Sequence, residues 1–204
     1  MNKNLIVAIA VILVLGVGGY FVFSRKGASS PSDGRGGRQG GQEAAKSEKT
    51  PAQVAGSFVR DQVAPEATFT DFDGNTLNLS DFAGQAVVLD FWAAWCPFCL
   101  AEMPELQAAQ DKYGDDLVMI GVHRTSTEGT QEGLKFARER GVSYTLVVDP
   151  TDSLYRAAGG FGMPVAVFID REGVVTEIKS GPKTTEEIEE KIGKLVASGP
   201  EDEQ

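Results

Sequence analysis

The stretch AVVLDFWAAWCPFC, residues 86–99, decides the fold of this 204-residue chain. Its first half, Ala86 to Trp92, is a nearly continuous β-prone apolar run, which is typical of a central strand covered on both faces. The next run, Pro97 to Tyr113, predicts a helix that begins with proline, where the missing N–H is not needed. The only two cysteines of the chain, Cys96 and Cys99, lie where the strand ends and the helix begins.

Strands and helices alternate on either side of this stretch and predict an α/β domain. We predict strands at 68–72, 77–79, 117–122, 144–148, 165–170 and 174–179, and helices at 130–140 and 184–196. Thr184 and Glu187 are spaced as a capping box at the start of the last helix. A short helical lead-in is predicted at 53–60.

The two cysteines are suited to reversible formation and transfer of a disulfide. The N–H groups and the dipole at a helix N-terminus favour a thiolate on Cys96, which would attack, while Cys99, one turn further in, would resolve the mixed disulfide. A permanent bridge would close a very small loop and constrain little. A zinc site usually takes four ligands, and the chain adds one distant histidine, His123, which we expect in a loop without a role. We therefore expect no metal and no cofactor beyond the redox-active disulfide.

Several segments resemble a known family. Residues 88–99 resemble the active-site segment of the thioredoxin superfamily, and residues 162–170 resemble its cis-proline strand. Residues 65–69 and 79–84 resemble a narrower group, the membrane-anchored TlpA/ResA-like thiol–disulfide oxidoreductases, which often carry a Glu at the position of Glu102. The resemblance implies a thioredoxin-like α/β fold, in which helices flank a central mixed sheet, with an N-terminal transmembrane helix.

The resemblance places one carboxylate behind the thiols and a second one near the site. Asp90 matches the buried acid of thioredoxin, and a carboxylate inside an apolar strand is costly unless it is paired or used. Burial would raise its pKa, so that it could exchange a proton with Cys99; the alternative is a strand-end carboxylate bonded to a loop. Glu102 matches a residue that affects thiol acidity in ResA-like proteins, or else it lies on a solvated helix surface. Thioredoxin has a lysine near the acid on the neighbouring strand, whereas residues 117–122 contain none.

The resemblance also implies where a substrate binds. Pro164 matches the cis-proline that faces the thiols, and the backbone of Met163 would pair with an extended substrate segment. The alternative is a trans proline that starts an edge strand. Trp95 and Pro97 would flank the same groove, while Trp92 would pack in the core.

Composition divides the chain into four parts. We predict a membrane anchor at 1–26, a flexible linker at 27–64, a thioredoxin-like domain at 65–197 and an acidic tail at 198–204. The anchor contains nineteen residues without a charge, 5–23, which is long enough to cross a bilayer as a helix. The alternative is a signal peptide that is removed after export.

Charge bears on location and partners. Residues 1–50 carry seven Lys and Arg against three Asp and Glu, whereas residues 51–204 carry 12 against 26. The acidic globular part argues against nucleic acid as a partner. The charges that flank the anchor favour a cytoplasmic domain, but the resemblance implies an extracytoplasmic one, and we adopt the latter.

These observations predict a membrane-tethered thiol–disulfide oxidoreductase that acts on protein thiols and disulfides, as a reductant. Apocytochrome c is a candidate substrate, and a membrane or soluble redox partner would supply electrons. The alternatives are a disulfide-forming oxidase, a non-enzymatic redox sensor, or a thiol peroxidase. The last is disfavoured because peroxiredoxins carry Thr three residues before the reactive Cys, where this chain has Ala93.

Overall fold

Residues 52–198 are described in the computed structural model of the protein. The predicted transmembrane segment 5–23 and the tail from residue 199 onward lie outside the described residues. Within residues 52–198, no helix combines the length and the apolar character that a membrane span requires.

The described residues contain eight strands and four helices, and the sequence predicts all of them except the short first strand and the short third helix. The strands are β1 Gln53–Val54, β2 Ala67–Asp71, β3 Thr76–Asn78, β4 Ala86–Trp92, β5 Leu117–His123, β6 Thr145–Val148, β7 Val165–Ile169 and β8 Val175–Ser180. The helices are α1 Pro97–Tyr113, α2 Thr130–Glu139, α3 Ser153–Ala157 and α4 Thr185–Ala197. Short 3₁₀ turns lie at Leu79–Phe82 and Gly114–Asp116.

All the strands join one mixed sheet, in the order β1-β2-β6-β5-β4-β7-β8, with β3 paired to β2. Strand β4 is central, parallel to β5 and antiparallel to β7. The predicted thioredoxin-like mixed sheet with flanking helices is therefore confirmed for the described residues.

Strand β4 is buried along its whole length because the sheet is covered on both faces. Side chains alternate along a strand. Accordingly, Val88 and Trp92 pack in one apolar cluster with helices α1 and α4, while Leu89 and Phe91 pack in a second cluster on the other face. Asp90 lies on the same face of β4 as Val88 and Trp92. Its carboxylate therefore points toward α1, the helix that carries the cysteines.

Helices α1 and α4 both pack in the first apolar cluster. Met103, Leu106 and Ala109 form the buried stripe of α1. The capping box of α4 is confirmed: Glu187 N–H donates to Thr184 Oγ1 at 3.2 Å, and Thr184 N–H donates to Glu187 Oε2 at 3.0 Å.

The helical lead-in predicted at 53–60 is wrong. Gln53 and Val54 instead form β1, in register with Thr68 and Ala67 of β2. Gly56 has a φ of 129°, outside the helical region, and Phe58 is buried in the second apolar cluster. The last part of the predicted linker thus packs on the domain, because the edge of β2 and an apolar site were available to it.

Candidate active site

Cys96 and Cys99 form a disulfide at the junction of β4 and α1. Cys96 is the N-cap of α1, and its Sγ accepts a hydrogen bond from the Cys99 backbone N–H at 3.2 Å. Pro97 occupies the first helical position, as predicted. A sulfur at this place faces N–H groups that have no partner within the helix, and these favour a thiolate when the disulfide is reduced.

Exposed aromatic side chains lie next to the cysteines in the chain and shortly before Pro164. Trp95 is 53% exposed, Phe98, between the two cysteines, is 56% exposed, and Phe161 is fully exposed. Trp92, by contrast, is completely buried, as predicted. The exposed rings of Phe98 and Phe161 were missed from the sequence, because apolar residues in a loop or at a helix start carry no periodic signal.

The Met163–Pro164 peptide bond is cis, as predicted. It directly precedes β7, whose Val165 pairs with Phe91 of β4, so it lies near the strand end that leads to the cysteines. Met163 packs against the apolar cluster that contains Cys96 and Cys99. The structure therefore brings the predicted substrate-side residues to the same end of the sheet as the disulfide.

Behind the disulfide lies a buried charge cluster of Asp90, Glu102 and Lys183. The Lys183 Nζ lies 2.6 Å from Glu102 Oε2 and 3.6 Å from Asp90 Oδ1. The Lys183 backbone N–H also donates to Glu102 Oε1 at 2.6 Å. Asp90 is completely buried and Glu102 nearly so. The alternatives of a strand-end Asp90 and a solvated Glu102 are therefore wrong.

Burial raises the pKa of Asp90 to about 7; Lys183 opposes this rise and the charge of Glu102 adds to it. Tyr144 is buried close by, and burial, with the charges of Asp90 and Glu102, raises the pKa of its hydroxyl well above the ordinary value. The cluster thus contains one carboxyl that can gain or lose a proton near neutral pH.

Lys183 was missed from the sequence. The resemblance to thioredoxin points to a lysine on the neighbouring strand, but Lys183 comes from the turn between β8 and α4. The available signal was its position, since the capping box at Thr184 places it immediately before a helix that packs on α1. Nothing local indicated that its ammonium group would point inward.

The prediction that His123 lies in a loop is wrong. His123 is the last residue of β5, and it is completely buried. Its Nε2 lies 2.5 Å from Glu128 Oε1, and its ring stacks on that of Trp92. Strand β5 continues one residue further than predicted because His123 pairs with Trp92 of β4 and with Val148 of β6. Within residues 52–198, no group of three or more His, Cys, Asp or Glu is placed to hold a metal ion.

Comparisons with known proteins agree with this geometry. The family model described as AhpC/TSA matches residues 61–178. The chain is 35% identical over 131 residues to the thiol-disulfide oxidoreductase ResA of Geobacillus kaustophilus, covering 62% of the chain and 72% of that protein. It is 30% identical over 132 residues to the thioredoxin-like protein YneN of Bacillus subtilis, covering 64% of the chain and 77% of that protein.

Solved structures also resemble it. The thioredoxin domain of a thiol-disulfide oxidoreductase from Bacteroides vulgatus aligns with a TM-score of 0.59 at 26% identity, over 69% of the chain and 99% of that domain. The exposed lipoprotein thioredoxin Etrx1 of Streptococcus pneumoniae aligns with a TM-score of 0.54 at 31% identity, over 64% of the chain and 99% of that protein.

Proposed function

Because the chain belongs to the AhpC/TSA family and is a thioredoxin-like thiol–disulfide oxidoreductase of the ResA-like group, we propose that it reduces disulfides of protein substrates through its CPFC motif. The observation that carries this proposal is the Cys96–Cys99 disulfide at the N-terminus of α1, with a buried carboxyl behind it.

The reaction begins from the dithiol form. The Cys96 thiolate attacks one sulfur of the substrate disulfide, forming a mixed disulfide and releasing the other substrate sulfur as a thiolate, which takes up a proton. Cys99, once deprotonated, attacks Cys96 Sγ, forms the Cys96–Cys99 bond and releases the second substrate thiol. The chain loses two electrons and two protons, and the substrate disulfide gains two electrons and two protons.

The buried charge cluster is suited to accept the Cys99 proton. Asp90 faces α1 and has a pKa near neutrality, so it can take a proton from a neutral thiol and pass it on. Glu102 and Lys183 are among the residues that line a surface cleft with Phe98 and Thr184, and we propose that the proton leaves the cluster on this side. We assign Asp90 as the proton acceptor and Glu102 and Lys183 as its link to solvent.

We infer the direction of electron flow from the charges near the thiols. A strongly oxidising dithiol is one whose reduced, thiolate form is stabilised. Above its pKa of about 7, Asp90 adds a second buried negative charge to that of Glu102 beside one lysine, and this excess charge disfavours a thiolate on Cys99. The disulfide form is favoured, which makes the dithiol a reductant. The alternative is a disulfide-forming oxidase, and the reduction potential measured below distinguishes the two.

Exposed aromatic rings support a polypeptide substrate. Trp95 and Phe98 present apolar surface next to the cysteines in the chain, and Phe161 does so two residues before Met163. The backbone of Met163 would pair with an extended segment. We propose protein disulfides as the substrate class, with apocytochrome c among them, and a membrane or soluble reductant that restores the dithiol.

Residues 5–23 would tether the domain to a membrane, on the extracytoplasmic side. Labelling intact cells with a membrane-impermeant maleimide after mild reduction tests the side, since Cys96 and Cys99 are the only thiols of the chain. If the protein is labelled only after lysis, the extracytoplasmic assignment is wrong.

Two measurements on the purified protein test the function. Equilibration with glutathione gives the reduction potential, which we expect nearer to the roughly −270 mV of thioredoxin than to the roughly −120 mV of DsbA. Incubation of reduced Cys99→Ser with a protein disulfide should accumulate a mixed disulfide, whereas Cys96→Ser should accumulate none. Full turnover by Cys96→Ser would refute the mechanism, and a potential near that of DsbA would reverse the direction.

A further inference from the structure

The loop between β5 and α2, residues 124–129, contacts the segment that carries the cysteines. The side chain of Glu128 reaches the turn between β4 and α1, where its Oε1 accepts the Ala94 backbone N–H at 2.5 Å. The next residue, Trp95, donates its Nε1–H to Thr127 Oγ1 at 3.0 Å. Both residues that precede Cys96 are therefore held by neighbouring side chains of one loop, which we call the bracing loop.

His123 fixes the carboxylate of Glu128. Its Nε2 lies 2.5 Å from the same Oε1 that accepts the Ala94 N–H, and the two side chains are 0% and 9% exposed. Burial lowers the pKa of His123, although the contact with Glu128 opposes this. Because the Glu128 carboxylate can only accept, His123 carries a proton on Nε2 and donates it to Glu128.

The imidazole itself has little freedom to move. It lies between the rings of Trp92 and Phe72, with centroids at 4.4 and 5.7 Å. Helix α2 closes over it at Gly133, where an added Cβ would lie 2.1 Å from the ring. A rigid donor thus sets the position of Glu128.

The bracing loop also reaches the other side of the site. Arg124 pairs with Asp152 through two nitrogens, at 3.1 and 2.7 Å, and its guanidinium lies 3.8 Å from the centroid of the Tyr155 ring. The Tyr155 hydroxyl in turn donates to the Gly162 carbonyl at 2.7 Å, immediately before Met163. One loop thus contacts the residues before Cys96 and, through Tyr155, the residues before the cis-proline.

We propose that Glu128 is a positioning residue for Cys96. It holds the turn at Ala94 so that the Cys96 sulfur meets the N–H groups at the start of α1, and His123 holds Glu128. This inference rests on the proposed function, in which Cys96 is the attacking thiol. Position rather than charge carries the effect, because a negative charge near Cys96 would by itself disfavour the thiolate.

Two substitutions separate position from charge. Glu128→Asp keeps the carboxylate but is one methylene shorter and cannot span to Ala94, whereas Glu128→Gln keeps the length and an acceptor oxygen but loses the charge. The same changes at Glu132, an exposed residue in the first turn of α2, are the matched controls. The readouts are the rate at which the reduced protein attacks an aromatic disulfide reagent, and the pKa of the Cys96 thiol from the pH dependence of its alkylation by iodoacetamide.

We expect Glu128→Asp to react about tenfold more slowly with a raised Cys96 pKa, since small misplacements of a reacting group cost this much or more. Glu128→Gln and both Glu132 variants should stay close to the wild type. A normal rate in Glu128→Asp with a slow Glu128→Gln would overturn the proposal, as would unchanged values in both. If Glu128→Asp does not fold by circular dichroism, Glu128→Gln decides: a near-normal rate supports positioning, and a tenfold loss overturns it.

The failure of this inference is distinguishable from failure of the proposed function. If wild-type protein does not reduce the reagent, or if Cys96→Ser reduces it equally well, the proposed function fails first. If the wild type and both Glu132 variants are active and depend on Cys96, while Glu128→Asp is unimpaired, only the positioning role is wrong.

Discussion

Replacing Asp90 with Asn should stabilise the protein, and by an amount that depends on pH. The substitution keeps the size and shape of the side chain and removes only its ability to ionise. The carboxyl is completely buried among apolar side chains, and its cationic neighbour, Lys183, lies closer to Glu102 than to Asp90. The native fold therefore bears a cost whenever Asp90 carries a charge.

The size of the effect follows from the pKa of one carboxyl in two states. Burial raises the pKa of Asp90 from the ordinary 3.8 to about 7, opposed by Lys183 and reinforced by Glu102. Between those values the native chain holds a proton that the unfolded chain has released, so the free energy of unfolding falls as pH rises. A difference of about 3 pKa units corresponds to about 4 kcal/mol. The gain in Asp90→Asn should approach this ceiling above pH 7 and vanish below about pH 4.

Urea unfolding of the oxidised protein at several pH values between 4 and 8, followed by circular dichroism, measures this gain. With a denaturant slope of about 2 kcal/mol/M, the midpoint of Asp90→Asn should lie about 2 M above that of the wild type at pH 8. The matched control is Asp73→Asn, in an exposed turn after β2, which should show no such dependence. A gain of equal size at pH 4 and pH 8, or no gain at either, would contradict the assignment of a buried, proton-exchanging carboxyl.

Two further stability predictions follow from buried contacts. Lys183→Met leaves Asp90 and Glu102 without their buried cation, so the free energy of unfolding from urea titration should fall by about 3–5 kcal/mol, while Lys194→Met, which removes an exposed ion pair on α4, should change it little. Gly133→Ala should destabilise by about 1–3 kcal/mol by overpacking, because its Cβ would lie 2.1 Å from the His123 ring. Gly193→Ala in α4 meets only the Tyr113 hydroxyl, at 3.3 Å, and should be neutral or stabilising; equal effects at both glycines would argue against the tight packing over His123.

The sequence predicted the elements whose causes are local. Strand β4 and helix α1 have the bounds that the pattern indicates, because an apolar β-prone run and a helix with proline at its first position need no distant partner to be recognised. The capping box at Thr184 is likewise a contact between residues three apart. The prediction failed at β1, two residues long, which exists because the edge of β2 offers hydrogen bonds, and at α3, whose five residues are too few to show a period.

The residues of the candidate site also fall into those that local sequence predicts and those that depend on a distant partner. The two cysteines share a single turn, and Asp90 lies in the strand just before them, so one segment of sequence was enough to bring them together. The cis bond before Pro164 was predicted from a second segment. Whether Glu102 would be buried or solvated was left open, because its position on a helix allows either and only the partner decides.

The partner of Glu102 is Lys183, which lies far from it in the sequence. The sequence by itself determined the disulfide at a helix start, the central strand behind it and the reaction they are suited to. Only the tertiary structure decided which charges surround the thiols, since Lys183 is 81 residues from Glu102 and Glu128 is 34 residues from Ala94. Charges act through space, and an isolated lysine or glutamate in a loop has no sequence pattern that tells where its side chain ends. The contacts on which the proposed thiol chemistry rests are therefore created by the packing of α4 and the bracing loop against the sheet.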